Sequence, residues 1–214
     1  MVEGRIRVLL VDDHEVVRAG YRRLFEGTED IEVVAEADSG EAAYACYLEC
    51  QPGVVVMDLS MPGIGGMDAS RRILARDKAA RILVFSVHEN EIYLNRALDQ
   101  GILGYISKRS ASRVMLEAVR QVARGELFIG QELLPFLVNR NASEDGSRVG
   151  GLSPREFEVF RLRAEGRSVN DIAVLLNVSP KTVGHHNTRI KQKLGVDSAA
   201  ELTRLAIRLG LITP

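Results

Sequence analysis

Short apolar runs that alternate with helix-like patterns organise the first half of the chain. The run from Val54 to Met57 is apolar at every position, which is typical of a strand buried on both faces of a parallel sheet. Further runs predict strands at Ile6–Asp13, Ile31–Ala37, Ala80–Ser86 and Gly104–Ser107. Helical spacing after each strand predicts helices at His14–Phe25, Gly40–Glu49, Met67–Ala75, Glu89–Gln100 and Ser112–Arg124. The alternation predicts an α/β fold with a doubly wound parallel five-stranded sheet.

The last quarter of the chain carries start and stop signals for short helices. Ser153 can cap a first helix, with Pro154 in its first turn and Glu156 completing a capping box. The predicted helices are Pro154–Ala164, Ser168–Leu176, Pro180–Leu194 and Ser198–Leu209. The second and third, joined by a short turn and rich in polar side chains, predict a helix-turn-helix. We therefore expect a small all-α four-helix domain after the sheet.

A connecting segment separates the two parts. We predict domains at residues 1–127 and 151–214, with a linker at 128–150. A short helix in the linker suits the apolar stripe of Leu133, Leu134, Leu137 and Val138. The polar, glycine-rich residues that follow, 141–151, predict a mobile loop.

The net charge of the 214-residue chain is −1, but the charges are unevenly distributed. Residues 1–128 hold 16 basic and 20 acidic side chains, whereas residues 151–214 hold 10 basic and 6 acidic ones. This division indicates cation or phosphate chemistry in the first part and an anionic partner for the second. Because no apolar run approaches the roughly 20 residues of a membrane span and no signal-peptide pattern is present, we expect a cytoplasmic protein.

Polar side chains follow several of the predicted strands at the point where each strand ends. Asp12 and Asp13 end the first strand, Asp58 follows the third, Ser86 ends the fourth and Lys108 follows the fifth. Taken singly, such an aspartate is most often a cap or turn residue, and such a lysine is usually solvated. However, carboxyl ends of parallel strands share one edge of a sheet, so the five together predict a single site.

These residue types suit phosphoryl chemistry. Three crowded carboxylates repel one another unless a cation lies among them, and oxygen ligands of this kind suit Mg²⁺. Asp58 would then attack a phosphoryl group as the nucleophile, with Lys108 neutralising one of its oxygens. Ser86 would form its hydrogen bond only when the phosphoryl group is present, which makes it a sensor.

The segments VDDH, MDLSMPG, FSVH and GYISK resemble the receiver domain of two-component response regulators. The resemblance covers about the first 125 positions and implies a flavodoxin-like fold and a sensor histidine kinase as phosphoryl donor. It also implies that Asp58 is the phosphoacceptor and that Asp13, with Asp12 beside it, is the principal metal ligand. Tyr105 falls on the position of the switch aromatic residue, whose ring turns inward when Ser86 moves.

The segments LSPREFEVF, NDIAVLLNVSPKTV and RIKQKLGV resemble the LuxR-type domain of the NarL/FixJ family. SMPGIGG, SPKTV and ELTRLAIRLGL are most similar to the GacA/UvrY type. The resemblance implies binding to double-stranded DNA and a homodimer when phosphorylated or on DNA. The implied contact between output domains lies on the last helix, at Glu201, Leu202, Leu205 and Leu209; the same apolar positions equally suit an intramolecular core.

The third helix of the second domain is the expected recognition helix. By position we assign His185 and Thr188 to bases, and we assign to phosphates Lys181, Thr182, Arg189 and Lys191. Gly184 departs from the family pattern, in which a lysine often follows Thr-Val. A glycine inside a helix costs about 1 kcal/mol relative to alanine but permits close approach of the backbone to DNA. A helical protein-binding or dimerisation module with a solvated charged face is the alternative interpretation.

The combined features predict a phosphorylation-dependent transcription regulator. We expect no enzyme activity beyond Mg²⁺-dependent self-phosphorylation and slow self-dephosphorylation. One alternative is a constitutive DNA-binding protein whose receiver-like domain acts only as an interaction module. Another is a Mg²⁺-dependent phosphohydrolase, although the sequence offers no second acid near Asp58 to activate water.

Overall fold

A six-stranded parallel sheet forms the first part of the protein. The computed structural model describes residues 4–138 and 144–212. The strands are β1 (Ile6–Val11), β2 (Ile31–Ala37), β3 (Val54–Met57), β4 (Ile82–Ser86), β5 (Gly104–Ser107) and β6 (Phe128–Ile129). Their order in the sheet is β2-β1-β3-β4-β5-β6. The predicted strands are confirmed apart from their ends, and β6 extends the predicted five-stranded sheet by one short edge strand beside β5.

Five helices cover the two faces of this sheet. They are α1 (Glu15–Glu26), α2 (Gly40–Cys50), α3 (Gly65–Arg76), α4 (Glu91–Asp99) and α5 (Ser112–Ala123). Side chains alternate along each strand, so Leu9 and Val55 join one apolar core and Val8 and Val54 join the other. This is the doubly wound α/β architecture that the alternation of elements predicts.

The second part is the predicted bundle of four short helices. They are α8 (Pro154–Ala164), α9 (Val169–Leu175), α10 (Pro180–Leu194) and α11 (Ala199–Arg208). Capping boxes start α8, α9 and α11, and Ser179 caps α10 by accepting from the Thr182 backbone N–H. These local signals explain why the helix boundaries follow the sequence pattern so closely.

The connecting segment contains more helix than its sequence predicts. A 3₁₀ turn at Gln131–Leu133 leads into α6 (Leu134–Val138), which confirms the short helix. A second helix, α7 (Glu144–Gly150), occupies most of the segment that we predicted to be a mobile loop, so that prediction is wrong for these residues. Its Val149 side chain is fully buried, and this long-range packing stabilises a helix that polar residues alone do not indicate. Residues 139–143 lie outside the described part of the chain.

The receiver-like part and the helical part pack against each other. A single cluster of buried apolar side chains runs from the sheet to the helical bundle, with Tyr93 of α4 and Phe157 of α8 among its members. In the described ranges, no helix is both long enough and apolar enough to cross a membrane.

Candidate functional site

Three carboxylates meet at the carboxyl edge of the sheet. Asp12 and Asp13 follow β1, and Asp58 follows β3. The Asp58 backbone N–H donates to Val11 O over 2.9 Å, and the parallel pairing of β1 with β3 brings the three side chains together. One ligand atom from each, with one from His14, lies within 4.8 Å of the others. Asp12 and Asp58 are each only 1% exposed.

The turn after Asp58 is held tightly by the start of helix α3. A Cβ on Gly66 would lie 1.8 Å from the backbone oxygen of Asp58, so only glycine permits this close approach. The preceding Gly65 has φ +61°, in the left-handed region that favours glycine. The glycines of the IGG sequence therefore allow the start of α3 to pack against the backbone of Asp58.

Lys108 supplies the positive charge of this site. Its Nζ lies 2.8 Å from Asp58 Oδ2 and 2.6 Å from Asp12 Oδ2. Burial raises the pKa of Asp58; Lys108 opposes this rise, and the charge of Asp12 adds to it. Burial lowers the pKa of Lys108, but its ion pairs with the two carboxylates outweigh burial and leave the pKa raised. The lysine is therefore protonated at neutral pH and reduces the repulsion between the two carboxylates.

The cluster has the donor set of a divalent-cation site. Its carboxylate oxygens are hard ligands, which Mg²⁺ and Ca²⁺ prefer. Among the described residues, Asp13 Oδ1 is buried and accepts no hydrogen bond, although His14 Nδ1 lies 2.9 Å away. Asp12, Asp13 and Asp58 can therefore hold a metal ion. His14 was not among the predicted site residues, although its place directly after the acidic pair was the available signal.

Ser86 and Tyr105 both make hydrogen bonds to the backbone of His88. Ser86, the last residue of β4, is fully buried, and its Oγ accepts from the His88 N–H over 3.2 Å. Tyr105 in β5 is also fully buried and donates its hydroxyl to His88 O over 2.7 Å. The ring that we expected to turn inward is thus already inside. His88 was missed from the sequence, because nothing in FSVH indicates these contacts.

Helix α10 carries the residues assigned to DNA. Lys181, His185, Thr188 and Arg189 are exposed. Thr182 and Lys191 are half-buried: Thr182 lies in the capping turn with Ser179, and Lys191 Nζ donates to Asp197 O over 2.5 Å. Exposed and basic side chains thus project from this helix, while Val183 and Ile190 are buried against the bundle.

The last helix has a largely internal role. Leu202 and Leu205 are 1% and 3% exposed, so these side chains pack within the chain and are not available to a second copy. Glu201 completes the capping box with Ser198, and Leu209 is half-buried. The intramolecular-core interpretation therefore fits both buried leucines, and a dimer contact on this helix stays a prediction.

Comparisons with known families and proteins agree with this geometry. Residues 8–120 match the response regulator receiver domain, and residues 151–206 match the bacterial regulatory proteins of the luxR family. The chain belongs to the response regulator family. The receiver match covers the carboxylates, Ser86 and Lys108, and the luxR match covers the helix-turn-helix.

Relatives of this response regulator share nearly its full length. It is 39% identical to the response regulator UvrY of Escherichia coli K12 over 208 residues, which cover 96% of this chain and 95% of UvrY. It is 42% identical to the transcriptional activator protein ExaE of Pseudomonas putida over 209 residues, 96% of this chain and 97% of ExaE. The predicted resemblance to the GacA/UvrY type is confirmed.

A solved structure of a response regulator matches this chain over both domains. RcsB from Salmonella enterica serovar Typhimurium, bound to a promoter in the presence of phosphomimetic BeF₃⁻, is 30% identical, with a TM-score of 0.68. The match covers 94% of this chain and 98% of that one. A receiver domain implies a histidine kinase as partner, and a LuxR-type domain implies DNA binding. The protein is therefore a transcription regulator of a two-component system.

Proposed function

We propose that a sensor histidine kinase phosphorylates Asp58 and that this modification sets the DNA-binding state of the C-terminal domain. The position of Lys108 Nζ between the buried carboxylates of Asp58 and Asp12 carries the proposal, because it combines a nucleophile with a fixed counter-charge. The fourth and fifth strands bring Ser86 and Lys108 to the same edge of the sheet. A buried aspartate held only for stability would need a counter-charge such as Lys108, but it would not need the buried Ser86 at the same edge of the sheet.

In the proposed reaction, a carboxylate oxygen of Asp58 attacks the phosphorus of the kinase phosphohistidine. The oxygen–phosphorus bond forms as the phosphorus–nitrogen bond breaks, and the imidazole leaves with that electron pair. Lys108 neutralises one phosphoryl oxygen, and the Ser86 hydroxyl donates to another. Asp12, Asp13 and Asp58 would hold Mg²⁺, which when bound lowers the charge repulsion between carboxylate and phosphoryl oxygens. Self-phosphorylation from a small acyl phosphate and slow hydrolysis use the same groups.

The proposed output is a homodimer bound to double-stranded DNA. The DNA-binding domain would comprise residues 151–214, following a receiver at 1–127 and a linker at 128–150. We assign His185 and Thr188 to base contacts; the phosphate contacts are Lys181, Thr182, Arg189 and Lys191. The exposure of most of these side chains and the excess of basic residues in this part of the chain support the assignment. Because the chromosome is the proposed partner, we expect the protein to work in the cytoplasm.

The experiment compares Asp58→Asn with Asp68→Asn, a matched variant of another buried aspartate that pairs with Arg71 and Arg72. Each protein is incubated with acetyl phosphate and Mg²⁺, and phosphoryl incorporation is measured by intact mass. Affinity is then measured for a duplex that phosphorylated wild type has selected from a random-sequence library. We expect incorporation and tighter binding in wild type and Asp68→Asn, and neither in Asp58→Asn. Stoichiometric phosphorylation of Asp58→Asn would exclude Asp58 as the acceptor.

A second candidate function is constitutive DNA binding with the receiver as an interaction module. One observation favours it: Lys181, His185, Thr188 and Arg189 remain exposed while the two domains are packed together. Under this alternative, unphosphorylated wild type and Asp58→Asn bind the selected duplex as tightly as the phosphorylated protein. The same titration therefore separates the two functions.

A further inference from the structure

His88, in the loop between β4 and α4, contacts three parts of the proposed phosphorylation site. Its N–H donates to Ser86 Oγ over 3.2 Å, and its carbonyl accepts from the Tyr105 hydroxyl over 2.7 Å. Its ring Nε2 is hydrogen-bonded to Ser60 Oγ over 2.7 Å. The Ser60 backbone N–H in turn donates to Asp58 Oδ1 over 3.3 Å. One residue is thus connected to the acceptor carboxylate, the sensor hydroxyl and the switch ring.

The other face of the His88 side chain leads to the second domain. The imidazole is stacked on the ring of Tyr93, with centroids 4.1 Å apart and planes inclined by 4°. Tyr93 makes an edge-to-face contact with Phe157 of α8, with centroids 5.0 Å apart and planes at 82°. Such aromatic pairs constrain orientation as well as distance. A displacement of the His88 ring must therefore be accommodated by Tyr93 and Phe157.

The surroundings allow this ring to move without a change in its charge. Burial, together with the charges of Arg161 and Lys108, lowers the pKa of His88 to about 4, so the imidazole is neutral at physiological pH. A cavity of about 240 Å³ lies beside the rings and is lined by Ser60, His88 and Phe157 among others. Close-packed cores hold side chains in place, whereas a cavity of this size leaves space for a second ring position.

We propose that His88 is the positioning residue through which the state of Asp58 determines the contact between the receiver and helix α8. The inference rests on the proposed function, because it requires that Asp58 be phosphorylated. A phosphoryl group on Asp58 changes the acceptor that faces the Ser60 N–H, and it recruits the Ser86 hydroxyl. Both changes alter hydrogen bonds that fix His88, and its ring transmits them to Tyr93 and Phe157.

A second set of contacts between the domains does not involve His88, and it could instead connect the state of Asp58 to the second domain. Arg155 Nη1 donates to Gly63 O over 2.6 Å, and the Gly63 N–H donates to Leu175 O over 3.3 Å. These bonds join backbone groups of the β3–α3 loop to α8 and α9 without a side chain from the site. If this loop carried the signal, Arg155→Ala would abolish coupling and His88 variants would not.

The experiment measures coupling as the ratio of DNA affinities with and without acetyl phosphate and Mg²⁺. His88→Phe keeps a ring for Tyr93 but loses the bond to Ser60, and Ser60→Ala removes the same bond from the other side. His88→Gln can restore a polar atom near the former Nε2 position. Tyr47→Phe is the matched control, because it removes a 2.6 Å hydrogen bond to Asp77 elsewhere in the receiver. Phosphoryl incorporation and amide exchange in Pro154–Ala164 are measured on every protein.

We expect every variant to be phosphorylated to the extent of wild type. Coupling between two sites is typically about 5- to 150-fold, and we expect it to fall to about 2-fold or less in His88→Phe and Ser60→Ala. The double variant should be no worse than either single one, because both remove one shared bond. Phosphorylation should change amide exchange in α8 of wild type and Tyr47→Phe but not of His88→Phe, and His88→Gln should regain part of the coupling.

Several results would contradict the proposed role of His88. Full coupling in His88→Phe, additive losses in the double variant, or loss of coupling in Arg155→Ala alone would each exclude it. Failure of the proposed function gives a different pattern, since wild type itself would then show no incorporation at Asp58 or no coupling. The two ideas can therefore fail independently.

Discussion

The guanidinium carbon of Arg96 lies 4.5 Å from the centroid of the Phe157 ring, so a receiver cation covers an aromatic ring of the output domain. The same side chain donates from Nη1 to the carbonyls of Val149 (3.2 Å) and Leu152 (2.8 Å), near the end of α7. Burial lowers the pKa of Arg96 to about 10, so the group is still charged at neutral pH. Arg96 thus holds the connecting helix and α8 at once.

Replacing Arg96 with methionine should separate these elements. Methionine keeps much of the apolar packing but leaves buried carbonyls without a donor, at a cost of roughly 2–4 kcal/mol in free energy of unfolding. Denaturant titration and amide exchange in Glu144–Gly150 measure the effect. The matched control is Arg71→Met, which removes a half-exposed partner of Asp68 and leaves Arg72 paired with that carboxylate, so we expect a loss of less than about 1 kcal/mol. Equal losses in the two variants would show that Arg96 has no special role.

Magnesium should stabilise the wild-type protein through Asp13. A ligand that binds only the folded state at 100 times its Kd adds about 2.7 kcal/mol to the free energy of unfolding. We therefore expect Mg²⁺ to raise the Tm in differential scanning fluorimetry, and Asp13→Asn to remove most of that rise. Asp77→Asn is the control, since Asp77 pairs with Tyr47 away from the carboxylate cluster. A full Mg²⁺ response in Asp13→Asn would mean that the ion binds elsewhere.

Gly184 should limit the stability of helix α10. It lies inside the helix, and a Cβ there would meet no atom within 4 Å among the described residues. Gly184→Ala should therefore stabilise the protein by about 0.5–1 kcal/mol in chemical denaturation. Gly195→Ala, at φ +67°, should instead destabilise it, because alanine is strained in the left-handed region. If the backbone at Gly184 closely approaches DNA, Gly184→Ala also weakens binding; unchanged affinity would exclude such an approach.

The sequence predicts those features that are encoded locally. Strand ends follow from apolar runs, so the sequence alone assigns Asp12, Asp58 and Lys108 to one edge of the sheet. Capping boxes in the same way predict the helices of the second domain. By contrast, β6 has only two residues and no periodic pattern, and α7 depends on burial of Val149 and on Arg96, far away in sequence.

The contacts between the two domains could not be predicted from the sequence, because they also join residues that are far apart in the chain. His88 is stacked on Tyr93, and Tyr93 meets Phe157 edge to face, although up to 69 positions separate these residues, and no local pattern specifies which aromatic residues will meet. The periodicity of α11 likewise could not distinguish a dimer surface from an internal core. Leu202 and Leu205 are buried in the intramolecular core, and a dimer contact on this helix stays a prediction.

Glu158 should make the contact between α8 and α3 depend on pH. The Glu158 carboxylate lies against Gly65 at the start of α3, since a Cβ on Gly65 would be 2.0 Å from Glu158 Oε1. Burial raises the pKa of Glu158 to about 7, although Arg155 acts to lower it. The pKa of Glu158 in the folded state exceeds the usual 4.5, so the folded protein favours the neutral carboxyl group. The stability that this preference contributes is complete below pH 4.5 and is lost as the pH rises towards 7. The free energy of unfolding lost over this range is roughly 3 kcal/mol, which is the free-energy equivalent of the shift in the pKa of Glu158.

In denaturant titrations, wild type should therefore lose stability relative to Glu158→Gln between pH 5 and 8, whereas Glu165→Gln should follow wild type. A constant difference across this range would contradict a raised pKa.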